Sequence, residues 1–157
     1  MAISVHDSSM ATEWAGVTTV QAVSIRAVGE VGGHVDVTRA GTPEAMATIA
    51  IGPVLARLCH ADAASRIREG WKAAAVVLNR LPMDLSQTLA VPGSSPTGIV
   101  VRLGADVVTT SMLVPATRQL ARSHLRVQVG PLIWQVMDRA AYWSIVRLWE
   151  RVERMLV

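Results

Sequence analysis

Apolar and polar residues alternate with a period of two over 17–28, where Val23, Ile25 and Ala27 share one side and Ala22, Ser24 and Arg26 the other. Successive side chains of a strand leave opposite faces, so this pattern predicts a half-buried strand. The glycine-rich stretch Gly29-Glu30-Val31-Gly32-Gly33 tolerates positive φ and predicts a hairpin turn. Alternation returns over 34–39, with Val35 and Val37 inward, and breaks at Gly41-Thr42-Pro43. A third strand is predicted over 47–58, bent at Gly52-Pro53. A helix follows, capped by Asp62 and running to Arg80, with Pro82 marking its end.

Residues 82–98 hold Pro92, Gly93, Ser94, Ser95 and Pro96 and read as a linker. Beyond it the same order recurs: strands over 99–103, 107–114 and 125–137, then a helix capped by Asp138. Gly52-Pro53 reappears as Gly130-Pro131. The stripe Ala63, Ile67, Trp71, Ala74, Leu78 reappears as Ala141, Ile145, Trp149, Val152, Leu156 at the same separation. Each stripe follows one face of an α-helix. Periodicity alone accounts for two similar stripes, but not for a Gly-Pro at the same distance upstream of each. The expected architecture is therefore α+β. Two duplicated strand–strand–strand–helix units, 17–81 and 99–157, form antiparallel sheets packed on two amphipathic helices, and 1–16 is a loose arm. Read as one strand, 127–136 is apolar on both faces: Val127, Val129 and Ile133 on one, Leu132, Trp134 and Val136 on the other. Both faces then need cover, which predicts a homodimer.

Composition narrows the class. Half of the residues are apolar (51%), too many for a disordered chain. The apolar runs fall far short of the roughly 18 residues of a membrane span. The N-terminus shows no basic segment followed by an apolar one, so no signal peptide is expected. Cys59 is the single cysteine, which excludes an internal disulfide, and a reduced cytoplasmic setting is predicted. Charge is uneven. Up to Asp62 three cations face six acids, and from Ala63 onward twelve cations face six acids. A basic second half suits an anionic partner.

Most constellations that would carry chemistry fail on geometry. Cys59, His60 and Asp62 have the types of a nucleophile, a base and an orienting acid. Neighbours on a strand point to opposite faces, however, so Cys59 reads as a core filler. His6, His34, His60 and His124 lack metal-ligand spacing, and the glycine stretch lacks the lysine and hydroxyl residue that complete a phosphate loop. No enzyme activity, cofactor or metal is predicted.

Two features remain. Arg118, Arg122, His124 and Arg126 form a basic cluster before the last strand, with Arg118 and Arg122 stacked if the connection is helical. Trp143 lies on the side of the last helix opposite the apolar stripe, beside Arg147, Glu150 and Arg154. An exposed Trp flanked by Arg suits a stacking platform or an interface anchor, and Trp134 on the two-sided strand joins that expected interface. The first feature predicts nucleic-acid binding through backbone or single-strand contacts. The second predicts a dimeric scaffold that docks a protein partner on the C-terminal helix. Tandem strand-rich units each closed by a helix are similar in outline to the Whirly and PUR-type single-strand binders, which build four strands per unit where three are counted here.

Overall fold

The computed structural model describes residues 21–89, 98–119 and 122–157. The arm 1–16, the first residues of the predicted first strand and linker residues 90–97 lie outside them.

The two Gly-Pro pairs organise the fold. They do not bend a strand; they reverse it. Gly52 and Gly130 have φ of +53° and +54°. Glycine first and proline second in a two-residue turn is the type II′ pattern, whose twist suits a hairpin. Ile51 therefore faces Val54 across one turn, and Val129 faces Leu132 across the other. Residues 47–58 thus form a hairpin, β3 (Met46–Ile51) and β4 (Val54–Leu58), and 125–137 form β7 (His124–Val129) and β8 (Leu132–Val136). The reversal also corrects the reading of 127–136 as apolar on both sides. Val127, Val129, Leu132, Trp134 and Val136 are all buried on one face, while Arg126, Gln128, Ile133 and Gln135 lie half-buried on the other. The demand for a second covering layer goes with it.

The remaining strands are β1 (Val23–Ala27), β2 (Gly33–Thr38), β5 (Ile99–Leu103) and β6 (Thr109–Val114). They form two four-stranded sheets, sheet I in the order β1-β8-β7-β6 and sheet II in the order β2-β3-β4-β5. β1 and β8 are parallel, as are β4 and β5, so both sheets are mixed rather than antiparallel. The first strand of each half thus enters the sheet built by the other half. The Val23 N–H donates to the Pro131 carbonyl at 2.8 Å, and the Ile99 N–H donates to the Pro53 carbonyl at 2.9 Å. Four strands precede each helix, not three. The stretch Gly29 to Gly33 is a crossing between sheets rather than a hairpin turn.

Helix α1 (Ala61–Ala73) continues as a 3-10 helix over Ala74–Arg80, and α2 spans Arg139–Leu156. Both apolar stripes are buried, with Trp71 and Trp149 at 0% and 1% exposure. A buried Trp removes about 200 Å² from water, worth on the order of 5 kcal/mol, so these two residues dominate the helix contribution to the core. Trp71 meets Trp134 edge-on at 6.3 Å between ring centres and Tyr142 at 6.0 Å. The Tyr142 hydroxyl donates to the Trp71 carbonyl, and burial pushes its pKa up to about 12. The helices run antiparallel and are laced by ion pairs: Lys72 Nζ to Glu150 and Arg68 Nε to Glu153, both 2.7 Å. α1 also touches β6, and α2 touches β2 and β3. Asp138 caps α2 as expected, accepting from the Ala141 N–H. Asp62 does not cap α1; His60 holds that position without a side-chain bond, and Asp62 sits in the first turn. Among the described residues no helix is long and apolar enough to cross a membrane.

Candidate anion-binding face on sheet I

Alternation along β1 buries Ile25 and Ala27 and leaves Ser24 and Arg26 exposed. Parallel pairing sets Arg26 against Gln135 of β8, antiparallel pairing sets Gln135 against Arg126 of β7, and Arg126 lies opposite Met112 of β6. One row across the outer face therefore reads Arg26, Gln135, Arg126, Met112. The next row reads Ser24, Ile133, Gln128, Thr110. His124, at the start of β7, shares this side because Leu125, Val127 and Val129 take the buried one. Every strand residue on this face is cationic, neutral-polar or apolar, and none is a carboxylate.

Local bonds order the face. Arg126 Nη2 donates to Gln128 Oε1 at 3.2 Å, and Gln128 Nε2 donates to the Gly130 carbonyl at 3.2 Å. Arginine and amide donors are thereby held in a line along β7. At the His124 end a cavity of about 210 Å³ is lined by Arg26, Arg122, His124, Gln135, Gln119 and Met137, with Leu89 beside them. No carboxylate lines it. At the other end of β7 a cavity of about 570 Å³ is lined by Thr110, Gln128 and Gly130 together with Arg102 and Asp106.

His124 is only 5% exposed. Burial pushes its imidazole below the ordinary value of 6.5, a hydrogen bond with the Arg122 backbone opposes that, and the positive charges of Arg26 and Arg126 push it further down. Burial is the larger of these effects, and the two arginines act in the same direction.

Of the predicted basic cluster, the structure brings Arg122 and His124 to one cavity and Arg126 to the same sheet face. Arg118 is exposed and does not line the cavity, and described residues 115–119 are not helical. Arg26 and Gln135 were not in the predicted site. Both stood at polar positions of alternating segments, but only the pairing of β1 with β8 places them beside Arg126.

The predicted interface residues separate. Trp134 is 1% exposed and belongs to the core, so it presents no surface for a partner. Trp143 is 45% exposed and packs edge-on against Tyr142. Arg147 lies 3.8 Å from Glu30, Arg154 is exposed, and Glu150 turns to Lys72 of α1. Cys59 is exposed rather than a core filler, because β4 ends at Leu58, whose side chain takes the last inward position. Cys59, His60 and Asp62 line a shallow cavity of about 270 Å³ beside Thr42 and Pro43. Among the described residues no group of three or more His, Cys, Asp or Glu is placed to hold a metal ion.

No family model, curated protein or solved structure matches this chain, so the likeness in outline to Whirly and PUR-type proteins carries no functional weight.

Proposed function

We propose that the outer face of sheet I binds the phosphate backbone of a single-stranded nucleic acid. The observation that carries this reading is the convergence of Arg26, Arg122, Arg126 and His124, drawn from both halves of the chain, on one side of a sheet whose strands place no carboxylate there. Neutralising phosphates releases counterions, and the arginine fork matches a phosphate's paired oxygens. The strands put no aromatic ring on this face: Trp134 points into the core, as do Trp71 and Trp149. Base stacking therefore has no platform, and the contact is to backbone rather than to base sequence. A flexible single strand lays successive phosphates along a sheet more readily than a duplex, which a protein reads by inserting an element into a groove. The outer face of α2 gathers Arg147, Arg151 and Arg154 around one cavity, but there Glu30 stands 3.8 Å from Arg147, whereas the strands of sheet I place no carboxylate on their outer face.

A salt titration tests the reading. Affinity for a single-stranded oligonucleotide falls linearly in log–log form, and the Arg26→Ala/Arg126→Ala pair flattens the slope by about 1.4, roughly 0.7 for each phosphate left without its arginine. Arg57→Ala/Arg80→Ala, which removes two exposed cations outside sheet I, leaves the slope unchanged. No binding at low salt, or an equal loss from both pairs, overturns the proposal.

We also infer that the chain arose by internal duplication. Support comes from the recurrence of four strands and a helix, from the matching Gly-Pro turns, and from the reciprocal bonds that seat Val23 on Pro131 and Ile99 on Pro53.

A further inference from the structure

We propose that the cavity between Arg26, Arg122 and His124 is the seat for a terminal phosphate, the phosphomonoester end of the strand that lies on sheet I; this rests on the reading above and names its ligand class. The open rows of the sheet accept a chain that runs along β7, and at the His124 end they meet a partly enclosed cavity. Its floor holds Met137, only 7% exposed, and His124, only 5%, with half-buried Leu89 and exposed Gln119 beside them. A cavity of about 210 Å³ is below the usual size of small-molecule sites, roughly 300–1,000 Å³. It admits a phosphate with its ester carbon.

Charge favours an end over an internal linkage. An internal phosphodiester carries one negative charge, while a phosphomonoester carries about −1.5 to −2 near neutral pH. Two arginines line the cavity, Arg126 stands in the same row just beyond Gln135, and no carboxylate lines the cavity to offset them. The second charge of a monoester is thus matched where an internal phosphate leaves cations unanswered. Gln135 and Gln119 add neutral donors at the rim.

His124 sets the chemistry of entry. Its bond to the Arg122 backbone favours the charged ring, which makes the ring nitrogen the donor and the backbone carbonyl the acceptor. The second nitrogen is bare in the neutral ring, and donates to a phosphate oxygen only after gaining a proton. Binding a terminal phosphate therefore takes up a proton on His124. The groups that face it are Arg26 from β1, Arg126 from β7, Arg122 from the preceding loop, and the neutral Gln135, Gln119, Leu89 and Met137. The bound anion offsets the two repulsive arginines and raises the ring's pKa.

Competition binding at fixed salt tests the seat with one oligonucleotide sequence bearing a 5′-phosphate, a 3′-phosphate or hydroxyls at both ends. One phosphorylated end binds about tenfold tighter than the hydroxyl strand, and the end preferred gives the polarity on the sheet. His124→Gln collapses that ratio. Because His124 is buried and the variant tests folding as well, the wild-type ring is also titrated by NMR. The phosphorylated strand raises the ring's pKa and the hydroxyl strand leaves it in place. Equal affinity for all three strands overturns the seat while the sheet-face reading stands. No binding of any strand at low salt overturns both. A phosphopeptide that displaces the phosphorylated strand at lower concentration overturns the seat in favour of a phosphoprotein ligand.

Discussion

Asp138 ties three segments together through one side chain. Its carboxylate is fully buried and accepts the backbone N–H groups of Gly29, Leu85 and Ala141, each at 2.8 Å. Those donors belong to the crossing between β1 and β2, to the segment after the 3-10 helix, and to the first turn of α2. Gly29 has φ of +67°, and a Cβ there meets the Ser86 Cβ at 2.7 Å, so the crossing is shaped to bring its N–H to the acid. Removing the acid strands several donors at once. An unsatisfied buried donor costs about 1–3 kcal/mol and a lost N-cap about 1 kcal/mol. Asp138→Ala is thus expected to lower unfolding free energy by roughly 3 kcal/mol or more in urea titrations. Asp62→Ala, at an acid that bonds no cap, is expected to change stability by less than about 0.5 kcal/mol. Equal effects overturn this account. The cap role of Asp138 was legible in the sequence, because capping is local. Its bonds to Gly29 and Leu85 were not, because no periodicity reports a contact between residues so far apart.

At the scale of elements, the strands were legible and their pairing was not. The alternation of 46–58 and 124–136 slips by one residue at each Gly-Pro: Ile49 and Ile51 precede Val54 and Ala56, and Val127 and Val129 precede Leu132 and Trp134. A continuous strand keeps its phase, whereas a two-residue hairpin pairs the flanking residues directly and restarts it. The phase slip was the hairpin signal, and reading each Gly-Pro as a bend discarded it. Helix packing adds a second lesson. Gly70 sits inside α1, where Ala is favoured by about 1 kcal/mol on propensity. A Cβ at Gly70 meets the Cβ and Cγ2 of Thr109 at 2.5 Å, both held on β6. Overpacking typically costs about 1–3 kcal/mol, so the clash wins. Gly70→Ala is expected to destabilise despite its better propensity, and a shift of the urea midpoint to higher concentration overturns the close approach of α1 to β6.

At the scale of the molecule, exchange of β1 and β5 explains why the candidate site escaped a reading along the chain. The second half is the more basic, yet the row that defines the face begins with Arg26 of the first half, carried there by pairing with β8. The same exchange decides how the chain comes apart. Cut in the 90–97 segment, the first half keeps β1 without its partner β8, and β4 without β5. The second half keeps β5 without β4, and β8 without β1. The first half also loses Trp134 and Tyr142, against which Trp71 is buried, on the order of 5 kcal/mol by apolar area. Neither half retains a closed core, and unpaired strand edges promote association. Halves 1–89 and 98–157, expressed separately, are therefore expected to lack a cooperative transition as monomers, or to gain one only by pairing with a second chain. Mixing them restores the transition of the intact chain. Thermal unfolding followed by near-ultraviolet dichroism, repeated over a range of concentrations, separates the outcomes. Recovery in the mixture and in self-paired halves depends on concentration, while the intact chain's midpoint does not. A half that unfolds cooperatively as a monomer, with a midpoint independent of concentration, is incompatible with strands exchanged between the sheets.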